Sequence, residues 1–197
     1  HRIANSLQLV NAFLRLQVNA ATNSDAKAAL SNAMARVAAI GHVHRQLYSA
    51  TDVRSIDLGR YLENLMSDLR QAVGQTAAGA ELVVKADPVS TTTDRAVSIG
   101  TMVTELVLNA LKYAYPEGRP GQIRISCRGA GGDALELIVE DDGIGLQPGA
   151  PAKGGGLGER IIGMMAQKLR ATIERDEAHK GVRTRITIPP ADDAPAA

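Results

Sequence analysis

Apolar residues at Ile3, Leu7, Val10 and Leu14 recur at helical spacing, which predicts an amphipathic helix over residues 2–20. Asn23 and Ser24 supply turn and N-cap chemistry, and from Asp25 a second stripe runs through Leu30, Ala33, Val37, Ile40, His44 and Leu47. Its alternating steps of three and four make the seam of a helix that packs lengthwise on another. Two helices joined by a short polar turn form an antiparallel hairpin. Such a hairpin leaves too much apolar surface uncovered to stand alone, so a dimeric four-helix bundle is its natural completion.

Beyond about Ser49 the pattern becomes mixed. Asp57 is placed to cap a helix carrying Leu58, Tyr61, Leu62, Leu65 and Leu69, and a loop over Gly74 to Ala80 leads to a short strand at Glu81 to Lys85. A helix from Asp94 to Tyr113 follows. Gln122 to Arg128 and Ala134 to Glu140 are β-rich runs joined by a turn over Gly129 to Asp133, which reads as a hairpin. Gly143 to Gly158 holds seven glycines in sixteen residues, too many for regular structure. Leu157 to Leu169 returns to helical spacing, Ala171 to Asp176 and Val182 to Ile188 read as a last pair of strands, and the tail after Pro189 has a disordered composition. Helices interleaved with antiparallel hairpins make residues 50–190 an α+β two-layer sandwich whose sheet is covered on one face. No internal repeat stands out.

Composition narrows the field. The 197 residues are 45% hydrophobic and 22% charged, ordinary for a globular chain of one large or two small domains. No apolar run approaches the ~18–20 residues that cross a bilayer, so no membrane contact is expected of this chain and a cytoplasmic location is. With 22 basic against 21 acidic residues, and one Phe, four Tyr and no Trp, neither charge nor stacking favours nucleic acid. Cys127 stands in Ile-Arg-Ile-Ser-Cys-Arg and reads as a small strand residue. The chain opens on His1 rather than Met, which marks it as a fragment.

Three constellations carry chemistry. In Glu105-Leu-Val-Leu-Asn109-Ala-Leu-Lys112-Tyr113, helical steps put Glu105, Asn109 and Lys112 on one face while Val103, Val107 and Ala110 turn to a core. A carboxylate, an amide oxygen and an ammonium in a row suit a magnesium-bound polyphosphate. Taken alone, the row reads rather more readily as a solvated helix face. In Asp141-Asp142-Gly143-Ile144-Gly145, strand parity continues the face of Leu135, Leu137 and Val139 into Asp141 and turns Asp142 to the opposite side. A buried carboxylate needs a donor, and the exocyclic amine of adenine would serve. A plain Asp-Gly turn explains the same residues about as well. In Gly154-Gly155-Gly156-Leu157-Gly158, glycines that admit close approach of a phosphate open a helix whose first N–H groups are unpaired. Flexible loops are also rich in glycine.

In their order and spacing the three resemble the N, G1 and G2 boxes of the Bergerat (GHKL) nucleotide-binding fold. Histidine kinases, Hsp90-type chaperones, type II topoisomerases and MutL-type repair proteins share it. The resemblance covers roughly residues 50–190 and implies ATP and Mg2+ as cofactors. Carried over, it assigns Glu105 and Asn109 to the magnesium side, Lys112 to phosphate and Tyr113 to a place near the base. Asp141, Gly143 and Gly145 become the adenine pocket, and Gly154, Gly156, Leu157 and Gly158 the part that holds the triphosphate. The stretch between Leu146 and Lys153 is short and lacks the phenylalanine-bearing lid motif of many histidine kinases, and Val182 stands where threonine is common.

The opening His1-Arg-Ile-Ala-Asn5-Ser-Leu-Gln8 is similar to the phosphoacceptor box of HisKA_2 kinases, related to the HWE group, and Val43-His44-Arg-Gln-Leu47-Tyr48 to the second helix of their hairpin. Ala4 and Ser6 replace residues that are commonly Lys and Asn. A neutral imidazole is a competent nucleophile and forms a phosphoramidate able to pass its phosphoryl group onward. Arg2 and Asn5 are placed to offset phosphate charge and orient the ring. His44, on the apolar seam, reads better as a packed core histidine, and His42 and His179 lack supporting context.

The resemblance therefore implies an ATP-dependent histidine kinase of a two-component system, with His1, Glu105 and Asn109 as catalytic residues. Residues 1–49 become the dimerisation and phosphotransfer hairpin, 50–190 the ATP-binding domain and 191–197 a disordered tail. Its implied partners are a response-regulator receiver domain, an upstream sensor domain and a second copy of the chain, although some relatives are monomers. Two rivals remain at this point: an ATPase working as a conformational machine, and a phosphotransfer scaffold with a degenerate pocket.

Overall fold

Burial alternates along the strands and recurs every three to four residues along the helices, and together the two periods put a single core between one sheet face and a helical layer. The computed structural model describes Val18, Asn23, Leu30 and residues 55–73, 80–116, 119–145 and 157–191. Apart from Val18, Asn23 and Leu30, the expected hairpin, with His1, Asn5, His42 and His44, lies outside the described residues, as does the tail from residue 192.

Helix α1 (Leu58–Val73) starts where the sequence placed it, because Asp57 Oδ1 accepts a hydrogen bond from the Arg60 backbone N–H at 3.1 Å. Its stripe of Leu58, Tyr61, Leu62, Leu65, Met66 and Leu69 is buried. Helix α2 (Thr93–Tyr113) begins one residue earlier than expected, since Thr92 rather than a later residue is its cap, accepting from Arg95 N at 3.4 Å. It is the core's central helix, burying Ile99, Met102, Val103 and Val107 completely. Helix α3 (Leu157–Leu169) has the bounds that its spacing predicts.

Strands β1 (Ile56–Asp57) and β3 (Ser90–Thr91) form a separate antiparallel pair. Each is two residues long and leaves no periodic signal in the sequence. The main sheet has the order β2-β4-β5-β7-β6, made of β2 (Ala80–Ala86), β4 (Gly121–Gly129), β5 (Leu135–Asp141), β6 (Thr172–Arg175) and β7 (Arg183–Ile188). Both expected hairpins, β4–β5 and β6–β7, are present and antiparallel. The β2–β4 pair differs from an all-antiparallel arrangement: it is parallel, with Leu82 opposite Ile123 and Val84 opposite Ile125. The long connection through α2 supplies the crossover that a parallel pair requires.

Ile123, Ile125, Cys127, Leu135, Leu137, Ile186 and Ile188 face the helices. Burial pushes the Cys127 thiol up to about 11, with the charge of Asp87 adding to it, so the cysteine is an inert strand residue. The opposite face is polar. There Glu140 of β5 takes Arg124 of β4 on one carboxylate oxygen and Arg183 of β7 on the other, each at 2.5 Å. Arg183 reaches on to Asp176 at 3.1 Å.

Candidate nucleotide-binding site

The Glu105, Asn109 and Lys112 row runs along the last turns of α2 from the interior outward. Glu105 is only 2% exposed, Asn109 is half-buried and Lys112 is exposed. A solvated helix face would not bury its carboxylate, so that simpler reading of the row fails. Lys112 Nζ sits 4.9 Å from the centroid of the neighbouring Tyr113 ring, which is itself exposed. Backbone capping ends the helix at Ala114, whose N–H bonds to the Ala110 carbonyl.

The end of α2 meets the loop that follows β5. Ile144 N donates to the Ala114 carbonyl at 3.1 Å, and Gly143 lies so close to Ala114 that any side chain there would overlap its carbonyl. This contact brings the acid–amide–lysine row and the Asp141–Gly145 loop to one place. Gly145 has φ of 72° and rests against the Lys180 carbonyl, so a side chain there would be strained and crowded at once.

Asp141 ends the buried face of β5, 3% exposed, as strand parity predicts. Its surroundings correct one expectation, because donors for its carboxylate come from the chain itself. Gly143 N donates to Asp141 Oδ1 at 3.0 Å and Val182 N to the same oxygen at 3.2 Å. Both bonds fall on one oxygen of the carboxylate. Both donors are backbone N–H groups, which leave no trace in residue identity.

Asp142 turns to the opposite side, also as expected, and its role is structural. Oδ1 accepts from Gln122 N at 2.8 Å and from the Tyr115 hydroxyl at 2.9 Å, and that hydroxyl also lies 2.9 Å from the Gln122 carbonyl. The Gln122 bond acts most strongly on the Asp142 carboxyl, burial opposes it, and the Tyr115 bond adds to the Gln122 bond, which leaves the carboxyl below the usual range. Burial first, and then Asp142, push the Tyr115 phenol up. Asp142, Tyr115 and Gln122 thus tie the chain beyond α2 to the β4 and β5 ends. Sequence reasoning missed Tyr115, whose only signal is an aromatic two residues past a helix end.

Residues 146–156, including Gly154 and Gly156 and the short lid, lie outside the described residues. Leu157 and Gly158 open α3, and Gly158 is buried. His179 is described and was given no role from sequence, yet its Nε2 lies 2.9 Å from the Asp141 carbonyl. Among the described residues no group of three or more His, Cys, Asp or Glu side chains gathers to hold a metal. No described helix is long and apolar enough to cross a membrane.

The histidine kinase family model matches residues 1–73, and the model for histidine kinase-, DNA gyrase B- and HSP90-like ATPases matches residues 94–192. The chain belongs to the histidine kinase family. A solved histidine kinase domain from the blue-light-activated histidine kinase of Erythrobacter litoralis EL346 is 25% identical, with a TM-score of 0.70 over 92% of this chain and 95% of that one. Blue-light-activated histidine kinase 2 of Erythrobacter litoralis is 27% identical over 96% of this chain and 55% of its own length. Sensor histidine kinase PdtaS of Mycobacterium tuberculosis is 27% identical over 96% of this chain and 38% of its own. The chain therefore spans about half or less of the curated relatives it matches.

Proposed function

We propose that this chain is the catalytic core of a sensor histidine kinase that phosphorylates its own His1 from ATP. The phosphoryl group would then pass to an aspartate on a response-regulator receiver domain. One observation supports the reading above the others: the end of α2 is bonded to the Asp141–Gly145 loop through Ile144 and Ala114, which assembles a polyphosphate-type row beside a buried carboxylate. In the proposed site Asp141 takes the adenine amine, and Gly143 and Gly145 shape the loop around it. Tyr113 stands near the base, Lys112 meets phosphate, and Gly154, Gly156, Leu157 and Gly158 hold the triphosphate.

The donor set fits magnesium. A hard ion that keeps most of its water needs few protein oxygens. Half-buried Asn109 offers one, with Glu105 behind it in the row. Bound with ATP, the ion would offset charge on the β- and γ-phosphates. His1 attacks the γ-phosphorus in line, the N–P bond forms as the bond to the β,γ-bridging oxygen breaks, and ADP leaves. Residues 1–49 would carry the acceptor and pair with a second copy, 50–190 would hold ATP, and 191–197 would form a tail. A cytoplasmic location and an upstream sensor domain complete the proposal.

Incubation with γ-labelled ATP and magnesium tests it. Acid-labile, base-stable label should appear on the protein and vanish in His1→Ala and in Asn109→Ala. Label surviving His1→Ala would remove the acceptor assignment, and ATP turnover without labelled protein would point to a conformational ATPase.

A further inference from the structure

Asp141 is tied to the turn between β6 and β7 through three of its own groups. Its N–H donates to the Val182 carbonyl at 2.9 Å, and its Oδ1 accepts from Val182 N at 3.2 Å. Its carbonyl lies 2.9 Å from His179 Nε2. Gly181 fits so tightly on Asp141 that a side chain there would overlap the Asp141 carbonyl. On the turn's side both Val182 bonds use backbone groups, so neither depends on which side chain stands at 182. Of the three ties, the His179 contact alone depends on a side chain of the turn.

The turn that presents this imidazole is itself braced. Asp176 N donates to the Arg183 carbonyl at 3.0 Å, and Asp176 Oδ1 accepts from Ala178 N at 3.0 Å, an Asx turn. Asp176 Oδ2 meets Arg183 Nη1 at 3.1 Å, and His179 N bonds back to the Asp176 carbonyl at 3.3 Å. His179 is half-buried, held over the β5 end by this hydrogen-bonded turn. A carbonyl only accepts, so Nε2 carries the proton, and both the Nε2–H tautomer and the imidazolium can donate.

We infer that His179 is a positioning residue for base recognition: by gripping the Asp141 carbonyl it fixes where the Asp141 carboxylate points and so sharpens the choice of adenine over guanine. The inference rests on Asp141 reading the adenine amine, as proposed above. A site built to accept a hydrogen bond from a base amine rejects a base that offers a carbonyl there, provided the acceptor is held in place. Releasing the Asp141 backbone lets the carboxylate shift, which weakens ATP binding and softens the penalty against GTP. His179 touches no nucleotide in this account and acts only through Asp141.

The test is equilibrium binding of ATP and of GTP, each with magnesium, to the full chain. The proteins are the parent, His179→Ala, His179→Gln, His179→Asn and Asp141→Asn. For His179→Ala, the ATP dissociation constant should rise about three- to tenfold, the scale of one lost hydrogen bond, while GTP binding hardly changes. Glutamine places its Nε2 amide as many bonds from Cα as the histidine Nε2, so His179→Gln should recover most of the ATP preference. Asparagine is one bond too short and should not. An equal loss for both nucleotides, no loss for either, or identical behaviour of the Gln and Asn variants would overturn the inference. If Asp141→Asn loses ATP while His179→Ala binds like the parent, the inference alone fails. If Asp141→Asn keeps ATP, the reading of Asp141 fails and the inference falls with it. Should His179→Ala fold poorly, the Gln and Asn pair still decides.

Discussion

Several side chains at the candidate site owe their geometry to neighbours that sequence reasoning does not find. The face that Asp141 occupies follows from strand parity, but its donors are the backbone N–H groups of Gly143 and Val182, forty-one residues apart in the second case. Glu105 was legible as a polar residue on a helix and illegible as a buried one, because burial depends on what packs over that turn. Elsewhere in the core, Tyr61 carries a buried hydroxyl without a hydrogen-bond partner among the described residues, and burial holds its phenol well above the ordinary range. Leaving such a group unpaired costs about 1–3 kcal/mol, more than a satisfied bond would return. Tyr61→Phe is therefore expected to raise the unfolding free energy, by up to about 1 kcal/mol in a denaturant titration, as it removes the orphan and keeps the ring. A loss of stability of that size would mean that the hydroxyl is bonded after all.

Among the elements, legibility followed signal length. Three helices and two hairpins were readable from period and capping, down to Asp57 as the cap of α1 and Leu157 as the start of α3. The two-residue strands β1 and β3 are too short to show a period, and the parallel pairing of β2 with β4 depends on the α2 crossover rather than on local pattern. The polar face of the sheet is held across three strands by Glu140, between Arg124 and Arg183. Partial burial pushes the Glu140 carboxyl up, but the hydrogen bonds and charges of both arginines outweigh it and leave the group below its ordinary value. A depressed carboxylate stabilises the fold above its unfolded pKa, and that contribution is lost as pH falls through the folded value. With both arginines about a third exposed, at 34% and 32%, Glu140→Gln is expected to cost about 1 kcal/mol or less at neutral pH. The gap between parent and variant in thermal melts should narrow in high salt and close as the pH drops below the ordinary glutamate range near ~4.3. A gap independent of both pH and salt would assign the effect to packing.

For the molecule as a whole, the sandwich was readable from sequence, and the matches to histidine kinases agree with that reading over nearly the whole chain. What sequence could not supply is the joint at which α2, the β5 loop and the β6–β7 turn converge. That joint is made of backbone bonds and close glycine approaches, and it would let one pocket read a base and hold a polyphosphate together. The proposed reaction adds a separate claim, that the phosphoryl group ends on a nitrogen of this same chain. The most direct measurement is a phosphorus NMR spectrum of the chain after a single turnover with magnesium and ATP. The account predicts one protein-bound phosphoramidate resonance, lost on brief acid treatment, retained in base and absent from His1→Ala. ADP and inorganic phosphate with no protein-bound signal, or a resonance that persists in His1→Ala, would contradict it.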